Sequence, residues 1–256
     1  MDAFATADQV WAGALIFARI GAILMLLPGF GEAYVSPRIR LSLALVLSLA
    51  LWPMVAGSLP ALPVSLGGMV GWLIREVTTG LMIGFLLRLL MAALSTAGEV
   101  MSLQTTLSFA QTANPLQAQP ATTLAAFLTL FGVAMIFATN THHLFIAGLL
   151  GSYDVVRPAA PLVIEDFTTL AIRTVSGSFL LGVQLAAPVI VFSIIFNLAT
   201  GLVGRIMPQF QVFFVSTPLN VLFGLSIFAL SLGVIGTVFI DRYRTMAGLF
   251  AGGSGG

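Results

Sequence analysis

The chain has 256 residues, 59% of them hydrophobic and only 7% charged, with a formal net charge of +1 and a mean hydropathy of +1.08. Soluble domains carry about 25% charged and about 45–50% apolar residues, so ten bases and nine acids cannot coat a water-soluble globule of this size, and most of the surface must meet lipid or partner subunits. All ten bases are arginine and there is no cysteine, which excludes disulfides and thiolate sites. The small net charge excludes the dense basic stripe that nucleic acid requires.

Met1-Asp2-Ala3-Phe4 lacks a basic leader region, and Arg19 is the first arginine, so the first apolar segment is expected to remain in the mature protein. A helix needs roughly 20 apolar residues to cross a bilayer core of about 30 Å. Such runs lie at Val10–Leu27, Ile39–Val55, Gly67–Leu94, Leu124–Leu150 (interrupted from Asn140 to His143), Leu170–Val203 and Val212–Ile240. Turn formers separate them at Pro28 to Gly31, Ser36-Pro37, Gly57 to Pro63, Asn114-Pro115, Arg157 to Pro161 and Met207-Pro208. No alternation suits a barrel, so an all-α, polytopic membrane-type fold of helical hairpins is expected. Leu170–Val203 would span roughly 51 Å as one helix, and Pro188 near its middle is expected to kink it or break it into a hairpin. Arg38 and Arg40 fall on one side of a six-span bundle and Arg157, Arg242 and Arg244 on the other, so arginine bias sets no clear orientation. Gly252 to Gly256 reads as a flexible tail.

Ionisable groups at membrane depth default to a functional or packing role. Arg75 and Glu76 open the third run, and Arg88 and Glu99 follow near whole helical turns; they are expected to face other subunits or to snorkel to an interface. Glu32, Glu76, Glu99 and Asp241 all read as segment-edge acids, unlike the mid-span acid of a secondary transporter. His142 and His143, adjacent on a helix, suit a polar helix end better than a shared metal. Ser95, Ser102 and Ser108 have no His–carboxylate pairing, and no phosphate loop or metalloprotease motif appears. No catalytic residue, cofactor or metal is expected. The stretch from Gly98 to Pro120 is rich in amides and hydroxyls and has almost no charge. Asn114-Pro115 and Pro120 prevent a continuous helix through it. It suits either an ordinary interhelical loop or a constriction lining a watery passage.

Gly98-Glu99, Leu107-Ser108-Phe109-Ala110 and Asn114-Pro115 resemble the central loop of the FliR family of flagellar type III export-gate proteins. The resemblance continues through Asn140-Thr141-His142-His143, Ser152-Tyr153 to Pro158, and most specifically Gly204-Arg205-Ile206-Met207-Pro208-Gln209-Phe210, followed by Thr217-Pro218-Leu219. Arg19, Pro28 and Pro37 to Arg40 fit as well. It implies a single export-gate domain over residues 1–250, with 251–256 a flexible tail, built like a fusion of its partners FliP and FliQ. FlhB would wrap the entrance, FlhA would couple export to the proton motive force, and unfolded flagellar proteins would be the cargo. The place would be the bacterial inner membrane at the flagellar basal body. Carried over by position, Leu107, Phe109, Thr112, Asn114 and Pro115 would form the pore plug loop, with Phe109 in the pore and Thr112 where the family often has a second bulky residue. Glu99, His143, Arg205, Pro208, Gln209 and Pro218 would serve assembly and packing. The other readings are the homologous subunit of a virulence injectisome, a secondary transporter of small solutes, and a membrane-embedded enzyme.

Overall fold

The computed structural model describes residues 6–108, 121–158, 164–207, 209 and 211–250. Phe109, Thr112, Asn114, Pro115, Pro208 and the expected tail at 251–256 lie outside the described residues. Among the described residues there are seven α-helices and no strand: α1 (Ala7–Leu26), α2 (Pro37–Val55), α3 (Leu66–Gln104), α4 (Thr123–Ala138), α5 (His142–Val155), α6 (Ile164–Ile206) and α7 (Val212–Gly248). The all-helical, polytopic architecture is the expected one. By length and composition α1, α2, α3, α6 and α7 are each able to cross a membrane, and α4 with α5, bent by 79°, would make a sixth span.

Local chemistry sets the helix starts. Thr6 caps α1 in a reciprocal box, accepting from the Gln9 N–H while the Gln9 side chain accepts from the Thr6 N–H at 2.9 Å. Ser36 caps α2 and Pro37 takes its first turn, where its missing N–H costs nothing. α3 runs on to Gln104, past the end of its apolar run at Leu94, and α6 is one helix of 43 residues with Pro188 inside it, so of the two outcomes expected at Pro188 the break into a hairpin does not occur. An interior proline costs about 3 kcal/mol. Around Pro188 that cost is offset by packing, since Leu185, Ala186 and Val189 are buried.

The chain forms two compact units. Residues 1–89, 136–174 and 242–256 make the first, and residues 90–135 and 175–241 the second. α3, α4, α6 and α7 contribute to both. In the first unit, Leu15, Ile16 and Ile20 of α1 are completely buried. Gly80 allows α3 to approach α1 closely: a Cβ there would stand 2.5 Å from the Arg19 carbonyl oxygen and 2.7 Å from the Ala22 Cβ. One turn before Gly80, on the same face of α3, is Glu76. The close crossing thus brings Glu76 to Arg19, and both side chains are fully buried. Arg19 Nε donates to Glu76 Oε2, and Nη2 donates to Oε1 at 3.0 Å. Nη1 donates to the carbonyls of Ser152 at 3.0 Å and Val156 at 2.9 Å, and the guanidinium lies 4.2 Å from the Tyr153 ring centroid. Glu76 is therefore neither an edge residue nor a snorkelling one. It is the counter-ion of an arginine 57 positions earlier, joining α1, α3 and the last turn of α5.

The break between α4 and α5 falls in the Asn140–His143 interruption read from the sequence. Asn140 has φ 56°, a left-handed conformation that asparagine tolerates better than most residues. Arg244 of α7 holds the break, donating to the Thr139 carbonyl at 2.9 Å and to Thr141 Oγ1 at 3.2 Å. The His142 ring stacks on Phe137, with centroids 5.2 Å apart.

Removing one member of a buried ion pair leaves the other charge uncompensated, at a cost of about 3–5 kcal/mol. Glu76→Ala and Arg19→Ala are each expected to destabilise the chain by that amount in detergent unfolding experiments. The double variant Arg19→Leu with Glu76→Leu should recover most of the loss. A double variant destabilised by the sum of the two single losses would show that the pair carries no coupling.

Candidate functional site

The connection between α3 and α4 is the segment singled out from the sequence, and both of its ends are held in the second unit. Gly98 lets the two helices cross at backbone contact, since a Cβ there would overlap the N and Cα of Ala125. The crossing places Glu99 and Ser102 of α3 beside Thr122, the residue before α4. Glu99 accepts the Thr122 N–H at 3.0 Å, and Ser102 Oγ donates to Thr122 Oγ1 at 3.0 Å. Thr122 Oγ1 in turn accepts the Ala125 N–H at 3.3 Å, capping α4. The Glu99 carboxylate therefore sits at the positive end of the α4 dipole, where an anion is favoured. On the α3 side, the Ser108 N–H returns to the Ser102 carbonyl at 3.2 Å and Thr105 Oγ1 donates to the Met101 carbonyl at 2.9 Å.

The last residue of α3 is held by α6 and α7. Gln104 accepts from Ser193 Oγ at its carbonyl (3.1 Å) and at Oε1 (2.9 Å), and from Asn220 Nδ2 at its carbonyl (3.2 Å). Asn197 Nδ2 donates to Ser193 Oγ at 3.2 Å. Gly224 of α7 lies flat against Thr105, leaving no room for a Cβ. Immediately beyond this clamp Thr106 has φ 60°, a conformation that is strained for a β-branched residue and costs of order 1–3 kcal/mol. Thr106 Oγ1 and Asn220 Oδ1 are buried without a partner among the described residues. The segment leaves α3 from a braced, strained and under-satisfied end.

Of the expected plug residues only Leu107 is described, and it is half-buried. Among the expected assembly residues, Glu99 is at the loop base, whereas Arg205, Gln209 and Pro218 are exposed. Arg205 occupies the last turn of α6, where its charge complements the helix dipole. His143 is exposed and has its ring 4.3 Å from that of His142, which carries the packing within the chain. Gln104 and Ser102 stood within the stretch marked from the sequence but had no role there. Ser193, Asn197 and Asn220 were passed over, although an amide inside a long apolar run is itself a signal. No cluster of three metal-ligating side chains occurs among the described residues.

The family model described as bacterial export proteins, family 1, matches residues 10–246. A protein of Caulobacter vibrioides named flagellar biosynthetic protein FliR is 53% identical over 250 residues, covering 98% of this chain and 100% of that one. Proteins of the same name in Escherichia coli and Aquifex aeolicus are 32% and 30% identical, covering 82% and 92% of this chain and 80% and 91% of theirs.

An unpaired buried N–H costs about 1–3 kcal/mol, so Glu99→Ala should loosen the start of α4. Limited proteolysis between Thr105 and Ala121 is expected to quicken in Glu99→Ala and to stay near the parent rate in Glu99→Gln, which keeps an acceptor. Identical cleavage in all three proteins would remove Glu99 from the anchor.

Proposed function

Because the chain belongs to the FliR family of bacterial export proteins, we propose that it helps to form the channel of the flagellar export gate and closes that channel with the segment following α3. It is a membrane subunit of the flagellar export apparatus. Residues 1–250 act as one export-gate domain, and the family match runs through both compact units. The complex sits in the bacterial inner membrane at the flagellar basal body, and its cargo is unfolded flagellar protein.

The observation that carries the plug reading is the double anchorage just described. Glu99, Ser102 and Thr122 tie one end of the segment to the other, and Gln104 is gripped by Ser193 and Asn220. A loop fixed at its base and nearly free of charge can block ions with apolar side chains and still yield to a translocating chain. Phe109 is the main blocker. Leu107, Thr112, Asn114 and Pro115 shape the loop around it, with part of the bulk supplied by neighbouring subunits.

Helix length supports the presence of partner subunits. From Thr174 to Gly204 α6 carries no charged residue, roughly 46 Å of helix against about 30 Å of hydrocarbon. Large apolar side chains on it stay exposed, from Phe179 at 61% to Leu198 at 66% and Ile206 at 77%. α7 does the same, with Phe214 at 78% and Leu230 at 85%. Lipid alone cannot cover a face that long, so protein covers the remainder. FliP-like and FliQ-like subunits are the natural packing partners, with FlhB-like and FlhA-like proteins at the entrance. Arg205, Pro208 and Gln209 shape the turn that those partners grip, and Pro218 of α7 and His143 pack against neighbours.

Co-expression with the neighbouring membrane genes, followed by native mass spectrometry, should yield one copy of this chain with several copies of two smaller apolar subunits. A monomer or homodimer without partners would overturn the reading. Within an assembled gate, Phe109→Ala is expected to raise resting ion conductance, whereas substitution of Pro208 should weaken assembly instead. Unchanged conductance in the Phe109→Ala gate would remove the plug role.

A further inference from the structure

In the first unit, Ile74, Val77, Leu81, Phe85 and Arg88 of α3 are all exposed. Their spacing of three and four residues aligns them on one face of the helix, while Ile83, Leu86 and Leu87 turn inward. Val77 and Leu81 also form one wall of an open groove of about 600 Å³, whose other walls include Phe17, Gly21 and Met25 of α1 and Leu41 and Ala44 of α2. A Cβ at Gly21 would meet nothing within 4 Å, so the α1 wall is uncovered as well. Arg40 is the one charged residue of the lining, and it is spent on the carbonyls of Glu32 and Val35.

Arg88 ends this face and has no such use. It makes no hydrogen bond or ion pair with any described residue. Along α3 the nearest acids, Glu76 and Glu99, are twelve and eleven residues away, roughly 17–18 Å on the helix axis. They are committed to Arg19 and to the Thr122 N–H. α2 carries no acid, and Asp8, the only acid of α1, accepts the Leu62 N–H. Glu32, in the turn between α1 and α2, makes no ion pair with Arg88 either. The guanidinium therefore presents unused donors next to Phe85 and Leu81, one and two turns before it. Water satisfies those donors while the face is open. A neighbour that covers the face removes the water, and an uncompensated guanidinium then costs several kcal/mol. Whatever covers the face has to bring an acceptor of its own.

We propose that this face and its groove receive an apolar helix of a different membrane subunit, and that an aspartate or glutamate on that helix pairs with Arg88. Contacts spaced by three and four residues are those of helix–helix seams, and a carboxylate meets a guanidinium with two hydrogen bonds at once. The apolar side chains supply area, and the ion pair fixes register, because a helix shifted by one turn would leave both charges unpaired. A second copy of this chain packed face to face would set Arg88 against Arg88. The inference rests on the reading that other subunits cover the apolar flanks, and it adds the face they meet and the charge they carry.

The test uses the full chain purified with its partner subunits. Arg88→Glu is expected to lower the recovery of assembled complex about tenfold, because like charges then face each other, whereas Arg88→Lys, which keeps the charge, retains most of it. Arg88 is exposed and unpaired within the chain, so both variants should melt at the parent temperature when isolated in detergent. Because the chain has no cysteine, Leu89→Cys offers a unique attachment point for a benzophenone on the flank beside Arg88. Irradiation of the complex should capture one apolar partner segment with an aspartate or glutamate within about two helical turns of the captured residue. Replacing that acid by arginine should restore assembly of Arg88→Glu. Capture of lipid, of a second copy of this chain, or of a segment without such an acid overturns the proposal, as does full assembly of Arg88→Glu or a charge swap that rescues nothing. A parent chain that binds no other subunit overturns the export reading together with this one, and a parent complex indifferent to Arg88 overturns this one alone.

Discussion

An arginine and a glutamate stripped of water set the terms for the first unit. Isolated in an apolar interior, either charge would cost several kcal/mol, and Arg19 and Glu76 are both completely buried. The arrangement is tolerable because nearly every donor is used. Two guanidinium N–H groups meet the carboxylate, two more meet the carbonyls of Ser152 and Val156, and the Tyr153 ring lies against the cation. Geometry this demanding fixes three helices at once. α1 and α3 must cross at Gly80, and the last turn of α5 must point its carbonyls inward.

The same logic, with mostly neutral groups around one carboxylate, runs the second unit. Amides and hydroxyls are weaker anchors than charges, with a net worth of about 0.5–1.5 kcal/mol per hydrogen bond. The base of the α3–α4 connection therefore uses several of them: Glu99, Ser102 and Thr122 at one corner, Gln104, Ser193, Asn197 and Asn220 at the other. A positive φ at Thr106 lies immediately beyond, and Thr106 Oγ1 and Asn220 Oδ1 have no partner among the described residues.

Much of this was legible in the residues, and the omissions have physical causes. The apolar runs, the turn formers and the Asn140–His143 interruption fall where the helices begin, end and bend. Pro188 left a kinked helix and a hairpin open, and the helix continues through it where the flanking Leu185, Ala186 and Val189 are buried. Glu76 misled because a charge near the start of an apolar run looks like an edge residue, and its partner is 57 positions away. Spacing arguments see neighbours within a few helical turns and cannot see a helix crossing. The contradictory arginine bias has a similar explanation. Arg40 is spent on the carbonyls of Glu32 and Val35, and Arg244 on Thr139 and Thr141. These arginines staple helix ends, so counting them as free topogenic charges gives no orientation.

The two halves of the argument also bear on what kind of membrane protein this is. A solute carrier places an ionisable group where it can reach substrate or a coupling ion, and alternating access requires that group to be uncovered in turn. Arg19 and Glu76 are instead sealed against each other and against backbone carbonyls, leaving no free valence for a passing ion. The surface points the same way. A lone carrier would match its apolar girth to the bilayer, yet α6 and α7 expose apolar side chains over stretches longer than the hydrocarbon core. A mismatch that large would be unfavourable for an isolated chain, and it becomes an asset when other subunits complete the wall. The chain is built as a part whose two fully buried charges are settled against each other and whose long apolar helices suit cover by other subunits.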